Sequence, residues 1–341
     1  MKLRKTYLIL LSLLSGILLC LAWPVRGFPG LLFLGLVPLL ALEDLIARNP
    51  ERFSRFSVLF YSYPGFLLWN ILTTWWIVNS TLVGAIIAVV LNSLFLSVVM
   101  QAYSWAKRAL PGRLTGYLAL VSFWLSFEYL HLNWILTWPW LNLGNGYASY
   151  YKWVQWYEYT GIMGGTLWVL IGNILMYEVF RNVKYSMKHS GFLFLVALLW
   201  IVIPIIISFT VYYGYTEKPD PVRFVVVQPN LDPYEEQYTV PPPEVIGRIM
   251  GLAVPEMDQQ TNFLVAPESA IQENMCENDI NTFASLRILK EVIRHYPNMN
   301  IIIGGSTFRW FNPGESLTRS ARKFSDSDCY YDAFNTAILI N

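Results

Sequence analysis

Seven apolar stretches, each close to the length of a bilayer crossing, constrain this chain more than any other feature. They run over roughly 1–21, 27–45, 56–78, 82–104, 114–134, 160–180 and 191–213. A hydrocarbon core ~30 Å thick needs about 20 apolar residues of helix to cross it. Composition agrees, with 55% hydrophobic and only 14% charged residues, where ordinary soluble domains carry about a quarter charged. The 14 tryptophans and 21 tyrosines suit the aromatic belts of membrane interfaces. The expectation is a membrane protein with seven spans. Lys2, Arg4 and Lys5 ahead of the first apolar run resemble the start of a secretory leader. No small-residue cleavage site follows, and Leu19 precedes Cys20 where a lipoprotein signal needs a small residue, so the run reads as an uncleaved span.

Charge sets the expected orientation. Lys2, Arg4 and Lys5 precede span one, and Arg48, Arg52 and Arg55 follow span two. Lys107, Arg108 and Arg113 separate spans four and five, and Arg181, Lys184 and Lys188 separate six and seven. The opposite loops hold only Arg26 and Lys152. The positive-inside rule puts the N-terminus in the cytoplasm and everything after Tyr213 on the far side. The net charge of +1 argues against nucleic acid, which requires a basic face.

The loop between spans five and six reads N-W-I-L-T-W-P-W-L-N-L-G-N-G-Y-A-S-Y-Y-K-W-V-Q-W-Y-E-Y over 133–159. Its tryptophans and tyrosines predict a segment in the headgroup layer, either an anchoring belt or a rim around a site that admits a phospholipid. Glu128 and Glu158 border it; acids at the bilayer edge need a partner or a task, and Glu158 suits the helix dipole of span six. His131 reads as an interfacial polar residue, and Gly161, Gly164 and Gly165 as close helix packing.

From Gly214 to Pro221 the composition is that of a linker. Beyond it, 222–341 alternates strands and helices, which predicts a layered α/β domain. The expected strands are 223–227, 263–266, 301–303 and about 333–340, with helices from 241 towards 257 and about 281–295. The stretch Asn262–Ala270, N-F-L-V-A-P-E-S-A, is the one that holds chemistry. Pro267 ends the strand because it has no N–H to donate, and Glu268 stands at its mouth, where α/β folds place their ligand crevice. A carboxylate there suits a general base; alternatively Pro267 and Glu268 simply begin a helix. Cys276 and Cys329 lie among acids that disfavour a thiolate, so neither is a good nucleophile, and a disulfide between them is an open alternative. No Ser-His-Asp ordering, phosphate loop or metal spacing occurs, and no cofactor or metal is expected.

Five stretches together resemble the apolipoprotein N-acyltransferase family: P-W-L-N-L-G (139–144), E-Y-T-G-I-M-G-G (158–165), V-V-V-Q-P-N (225–230), A-P-E-S-A (266–270) and Y-Y-D-A-F-N-T-A (330–337). In this order and spacing they span nearly the whole chain. The resemblance implies a multi-pass α-helical membrane domain (1–213), a linker (214–221) and the first part of a periplasmic nitrilase-like αββα sandwich (222–341). It also implies a Glu-Lys-Cys triad, with Glu268 as the general base and Asn335 beside the site. Tyr234 or Tyr238 then stands near the substrate, and Trp140 in P-W-L-N-L-G is a further candidate for substrate binding. The family's lysine and cysteine follow the segment matching 330–337, so the chain is expected to be a fragment, its nitrilase-like part incomplete.

The implied partners are a phosphatidylethanolamine-like acyl donor and a diacylglyceryl apolipoprotein, in the bacterial inner membrane. The implied reaction passes the acyl chain through a thioester acyl-enzyme. Two alternatives remain: a non-catalytic membrane scaffold binding lipoprotein or lipid, and, less well supported, a transporter. Against a transporter stands the lack of a charge series inside the spans.

Overall fold

The structure is a computed structural model that describes residues 5–341 apart from 25, 135, 184, 233, 234 and 326. Lys2, Arg4, Lys184 and Tyr234 therefore lie outside the described residues. The chain divides into two compact units, Met1–Thr216 and Glu217–Asn341.

The first unit is helical. Its helices are α1 (Lys5–Ala22), α2 (Leu32–Gly35), α3 (Val37–Ala47), α4 (Ser57–Thr74), α5 (Leu82–Ala109), α6 (Arg113–Leu132), α7 (Tyr157–Asn182) and α8 (Met187–Gly214). Each expected span is helical, but among the described residues five segments are long and apolar enough to cross a membrane: α1, Pro29–Ala47, α5, α7 and α8. The third and fifth expected spans, α4 and α6, are diluted by polar groups such as Tyr61, Tyr63 and Asn70 in the one and Glu128 and His131 in the other. The second span is not one helix but breaks at Leu36. There Pro38 has no N–H to give, and the Leu36 N–H is satisfied by Asn173 Oδ1 at 2.8 Å. The Asn173 amide donates to the Leu32 carbonyl at 2.7 Å, so α7 holds the break in place.

The basic residues of three loops gather through shared acids. Lys107 bonds Glu43 and, at 3.2 Å, Asp44, which also binds Arg48. Arg113 and Arg181 share Glu178, and the Tyr177 hydroxyl bonds Asp44. The ends of α3, α5 and α7 and the start of α6 thus lie together, as the charge pattern requires.

The second unit is built on a sheet of β1 (Phe224–Val226), β2 (Phe263–Val265), β3 (Ile271–Cys276), β4 (Asn300–Trp310), β5 (Arg322–Lys323) and β6 (Tyr330–Ile340). Strand order is β1-β2-β4-β6-β5, with β3 also pairing β4. The β1, β2 and β4 strands run parallel, and β6 returns antiparallel on β4. Two helices, α9 (Pro242–Ala253) and α10 (Ala284–Ile293), bury Ile246, Ile249, Leu286 and Leu289 with Leu264, Ile301 and Ile303 of the sheet. The opposite sheet face is apolar as well: Phe224 stacks on Phe263 at 5.1 Å, and Val226, Val265, Ile302 and Leu339 continue it. A sheet apolar on both faces is the pattern of a layered α/β domain.

Strands β3 and β5 were not among the expected elements, and β4 and β6 are longer than expected. Gly304-Gly305 do not end β4, which continues to Trp310. No helix starts at Pro267-Glu268; Glu268 and Ser269 form a turn instead. Cys276 and Cys329 are both free thiols, Cys276 buried and Cys329 exposed, which removes the disulfide alternative.

Candidate functional site

Glu268 follows β2 at the carboxyl end of the parallel strands. Its placement rests on a backbone crossing. The Gly304 N–H donates to the Pro267 carbonyl at 3.0 Å, and a Cβ on Gly304 would stand 2.6 Å from Glu268 Cα. Only a residue without a side chain lets the 267–269 turn lie this close to β4. Ser269, at φ 55°, then turns the chain back through the left-handed region, which non-glycine residues seldom occupy. Gly304→Ala is expected to displace this turn, lowering thermal stability by about 1–3 kcal/mol, the usual range for overpacking. Hydrogen exchange would show it as lost protection over 267–270; unchanged protection would contradict the crossing.

Strand β6 brings the second residue. Asn335 pairs with Ser306 of β4, and its Nδ2 donates to Glu268 Oε1. Two residues 67 positions apart in sequence, singled out from separate motifs, therefore meet. Both are exposed.

Beside Glu268 is a cavity of about 150 Å³ lined by Gln228, Pro229, Leu231, Gln237, Pro267 and Ser269, among others. Gln228 and Gln237 were not singled out from sequence. A signal did exist for Gln228: it follows β1 as Glu268 follows β2, at the same sheet edge. Tyr238, next to Gln237, is 73% exposed and does not line this cavity. Its segment is anchored by Glu236, whose carboxylate accepts from Arg248 at 2.9 Å and from the Asp232 N–H at 3.2 Å. The Arg248 bond holds that carboxyl below its ordinary pKa. Neither Cys276 nor Cys329 lines the cavity.

In the first unit, Trp140 is half exposed and meets Trp76 edge to face at 5.4 Å. The surrounding loop is not a simple surface belt. Leu141, Leu143, Gly144 and Tyr147 are buried. The segment is drawn in by Glu128, which is 1% exposed and accepts three bonds. These come from Trp124 Nε1 at 3.1 Å, the Leu143 N–H at 2.9 Å and Thr166 Oγ1 at 2.6 Å. Thr166 also accepts from the Gly144 N–H at 3.0 Å, and the Tyr157 hydroxyl donates to the Gly144 carbonyl at 2.9 Å. Three donors around a carboxylate are what burial of such a group requires.

Sequence comparison bears on both units. Residues 15–175 match the family described as the apolipoprotein N-acyltransferase N-terminal domain. Apolipoprotein N-acyltransferase of Chlorobaculum tepidum is 30% identical over 267 residues, covering 76% of this chain and 49% of the relative. That of Geobacter metallireducens is 27% identical over 295 residues, covering 78% and 51%. The chain belongs to the apolipoprotein N-acyltransferase family. It spans about half the length of the curated relatives it matches. Both matches are longer than the first unit, so they take in part of the second. With its apolar helices, this member of the apolipoprotein N-acyltransferase family is a multi-pass membrane protein.

The glycines of its E-Y-T-G-I-M-G-G stretch divide their roles. Gly161, expected to serve packing, has open space at its Cβ position and instead kinks α7 at φ 62°. Gly165 leaves room for the Tyr157 ring of its own helix, not for a neighbouring helix. His131, expected as an interfacial polar residue, is 3% exposed and packs against Phe127, Phe95 and Trp134.

Proposed function

We propose that this chain is the membrane part and the first part of the nitrilase-like αββα domain of an apolipoprotein N-acyltransferase, with Glu268 as general base. The contact between Glu268 and Asn335 carries the reading, since it joins the two motif residues at the carboxyl edge of the parallel strands. Glu268 takes the proton of a cysteine thiol, and the thiolate attacks the sn-1 ester carbonyl of a phosphatidylethanolamine-like donor. Lysophospholipid leaves with a proton, and a thioester remains. The α-amine of diacylglyceryl-cysteine then attacks the thioester, an amide forms and the thiol is regenerated. Splitting the exchange into two acyl transfers lowers each barrier, and a lysine stabilises the oxyanion in both. In this reading that lysine and cysteine follow the segment matching 330–337. Asn335 orients the carboxylate, while Tyr234, Tyr238 and Trp140 are the proposed substrate contacts.

The setting proposed is the bacterial inner membrane, with the N-terminus cytoplasmic and the second unit periplasmic. The sorting of basic residues to one end of the helical unit supports this orientation. The test uses membranes carrying the protein as its host makes it, a diacylglyceryl-cysteine peptide and phosphatidylethanolamine. Mass spectrometry should find one acyl amide per lysophospholipid formed. With neither product the reading fails; peptide binding without turnover would put the scaffold reading in its place.

A further inference from the structure

Within the helical unit, α5, α6 and the turn after α6 enclose a cavity of about 270 Å³. Its walls include Ile87, Leu91 and Leu136, with Asn92, His131 and Trp138 as polar members beside Thr137, whose hydroxyl donates to the Trp134 carbonyl at 2.6 Å. Asn92 is committed, donating to Asn70 Oδ1 at 2.8 Å. His131 and Trp138 are not. His131 Nε2 and Trp138 Nε1 are buried nitrogens without a hydrogen-bond partner among the described residues. His131 Nδ1 accepts from Trp134 Nε1 at 2.9 Å, so the neutral ring carries its proton on Nε2. The ring is fixed by a stack on Phe127 at 4.9 Å and by the edge of Phe95 at 6.1 Å. Two N–H donors are thus held in place with nothing to donate to, which a buried polar group does not normally tolerate.

The size and opening of the cavity say what answers them. It exceeds the ~30 Å³ share of a single water several-fold. Ile87 is 50% exposed and Leu136 50% exposed, so the cavity opens on the outer surface of a helix that meets acyl chains. Among the described residues no Lys or Arg lines it, so a charged phosphate finds no counter-ion there.

We propose that this cavity binds a lipid acyl group, with the carbonyl oxygen accepting from His131 Nε2 and Trp138 Nε1 and the aliphatic chain lying along Ile87, Leu91 and Leu136. The carbonyl comes from a glycerolipid ester or from a free fatty acid. The inference does not depend on Glu268 or on acyl transfer.

The test places the full chain in phosphatidylcholine nanodiscs doped with a photoreactive lipid bearing a diazirine near the head of one chain. Three probes are compared: an ester-linked phosphatidylcholine, its ether-linked analogue without a carbonyl, and the free diazirine fatty acid. Labelling of α5 and 136–138 peptides is read against lipid-facing Phe192 and Phe194 of α8. The ester probe should label the cavity about tenfold more than the ether probe, the ratio expected from one or two hydrogen bonds. The α8 reference should not distinguish them. Stronger labelling by the fatty acid than by the ester lipid supports the site with the free acid as its source. His131→Phe and Trp138→Phe should each bring the ester probe towards the ether level. Equal labelling of the unsubstituted protein by ester and ether probes, as a water-filled cavity would give, overturns the proposal whatever the variants do.

Discussion

Glu268→Gln is expected to lower acyl transfer by about 10²–10⁴-fold, the range that general acid–base catalysis supplies. The substitution is chosen for what it leaves intact. A glutamine has nearly the same shape, and its side-chain oxygen still accepts from Asn335 Nδ2. The turn stays supported by the Gly304 N–H bond to the Pro267 carbonyl, at 3.0 Å. Only the capacity to take a proton goes. The rate should be measured under single-turnover conditions in the membranes that show wild-type transfer, with lysophospholipid release and amide formation followed separately. If Glu268 activates the thiol, release of lysophospholipid falls with the first step. Transfer within about twofold of wild type would mean that the carboxylate is a structural acceptor for Asn335 and that the base lies elsewhere.

The second large effect belongs to the helical unit. Glu128→Ala strands the Trp124 indole, the Leu143 amide and the Thr166 hydroxyl in a buried site. Interhelical side-chain hydrogen bonds in membranes average only ~0.6 kcal/mol, so the loss of a single bond would be hard to see. One carboxylate serving three donors is different, because each buried orphan costs about 1–3 kcal/mol. A destabilisation of about 3–5 kcal/mol is therefore expected for Glu128→Ala in detergent unfolding, comparable with breaking other buried charged networks. Glu128→Gln keeps an acceptor oxygen and should fall in between. An alanine variant within ~1 kcal/mol of wild type would show that the three donors find other acceptors.

The positions of the helices were legible because about 20 apolar residues in a row leave little choice of structure. Continuity within a span was not legible. The break at Leu36 needs Asn173, 137 residues away, to complete its hydrogen bonding. His131 gave no sign of burial because part of what packs on it, Phe95, comes from another helix, α5. In the second unit, β3 escaped notice because Ile271–Cys276 has no clean alternation and shifts register at Asn274, where φ is 48°. The apolar run 301–303 marked only the start of β4, because Gly304-Gly305 and the mixed residues after them give no strand signal. Gly304 serves the close passage of the Glu268 turn. Glu268 itself stood out locally, but its meeting with Asn335 depends on a parallel crossover and an antiparallel return that no short stretch encodes. Only the family motifs pointed to that pair.

The α6–α7 pair is fastened near both of its ends. At one end Glu128 holds Thr166; at the other Tyr117 and Arg113 hold Glu178. Two fasteners along one antiparallel pair forbid sliding, so α6 and α7 keep a constant offset and act as a stiff plank. A bilayer thicker or thinner than their span has to be met elsewhere, by tilt or by local deformation of lipid. Helix α8 is tied to the same plank: Trp168 and Trp200 each donate an indole N–H to the other's carbonyl, at 2.8 and 3.0 Å, and Ser190 donates to the Val179 carbonyl at 3.0 Å. Changes in membrane thickness would then reach the protein as a tilt of the fastened helices together, while the Glu128 junction and the loop it holds keep their geometry.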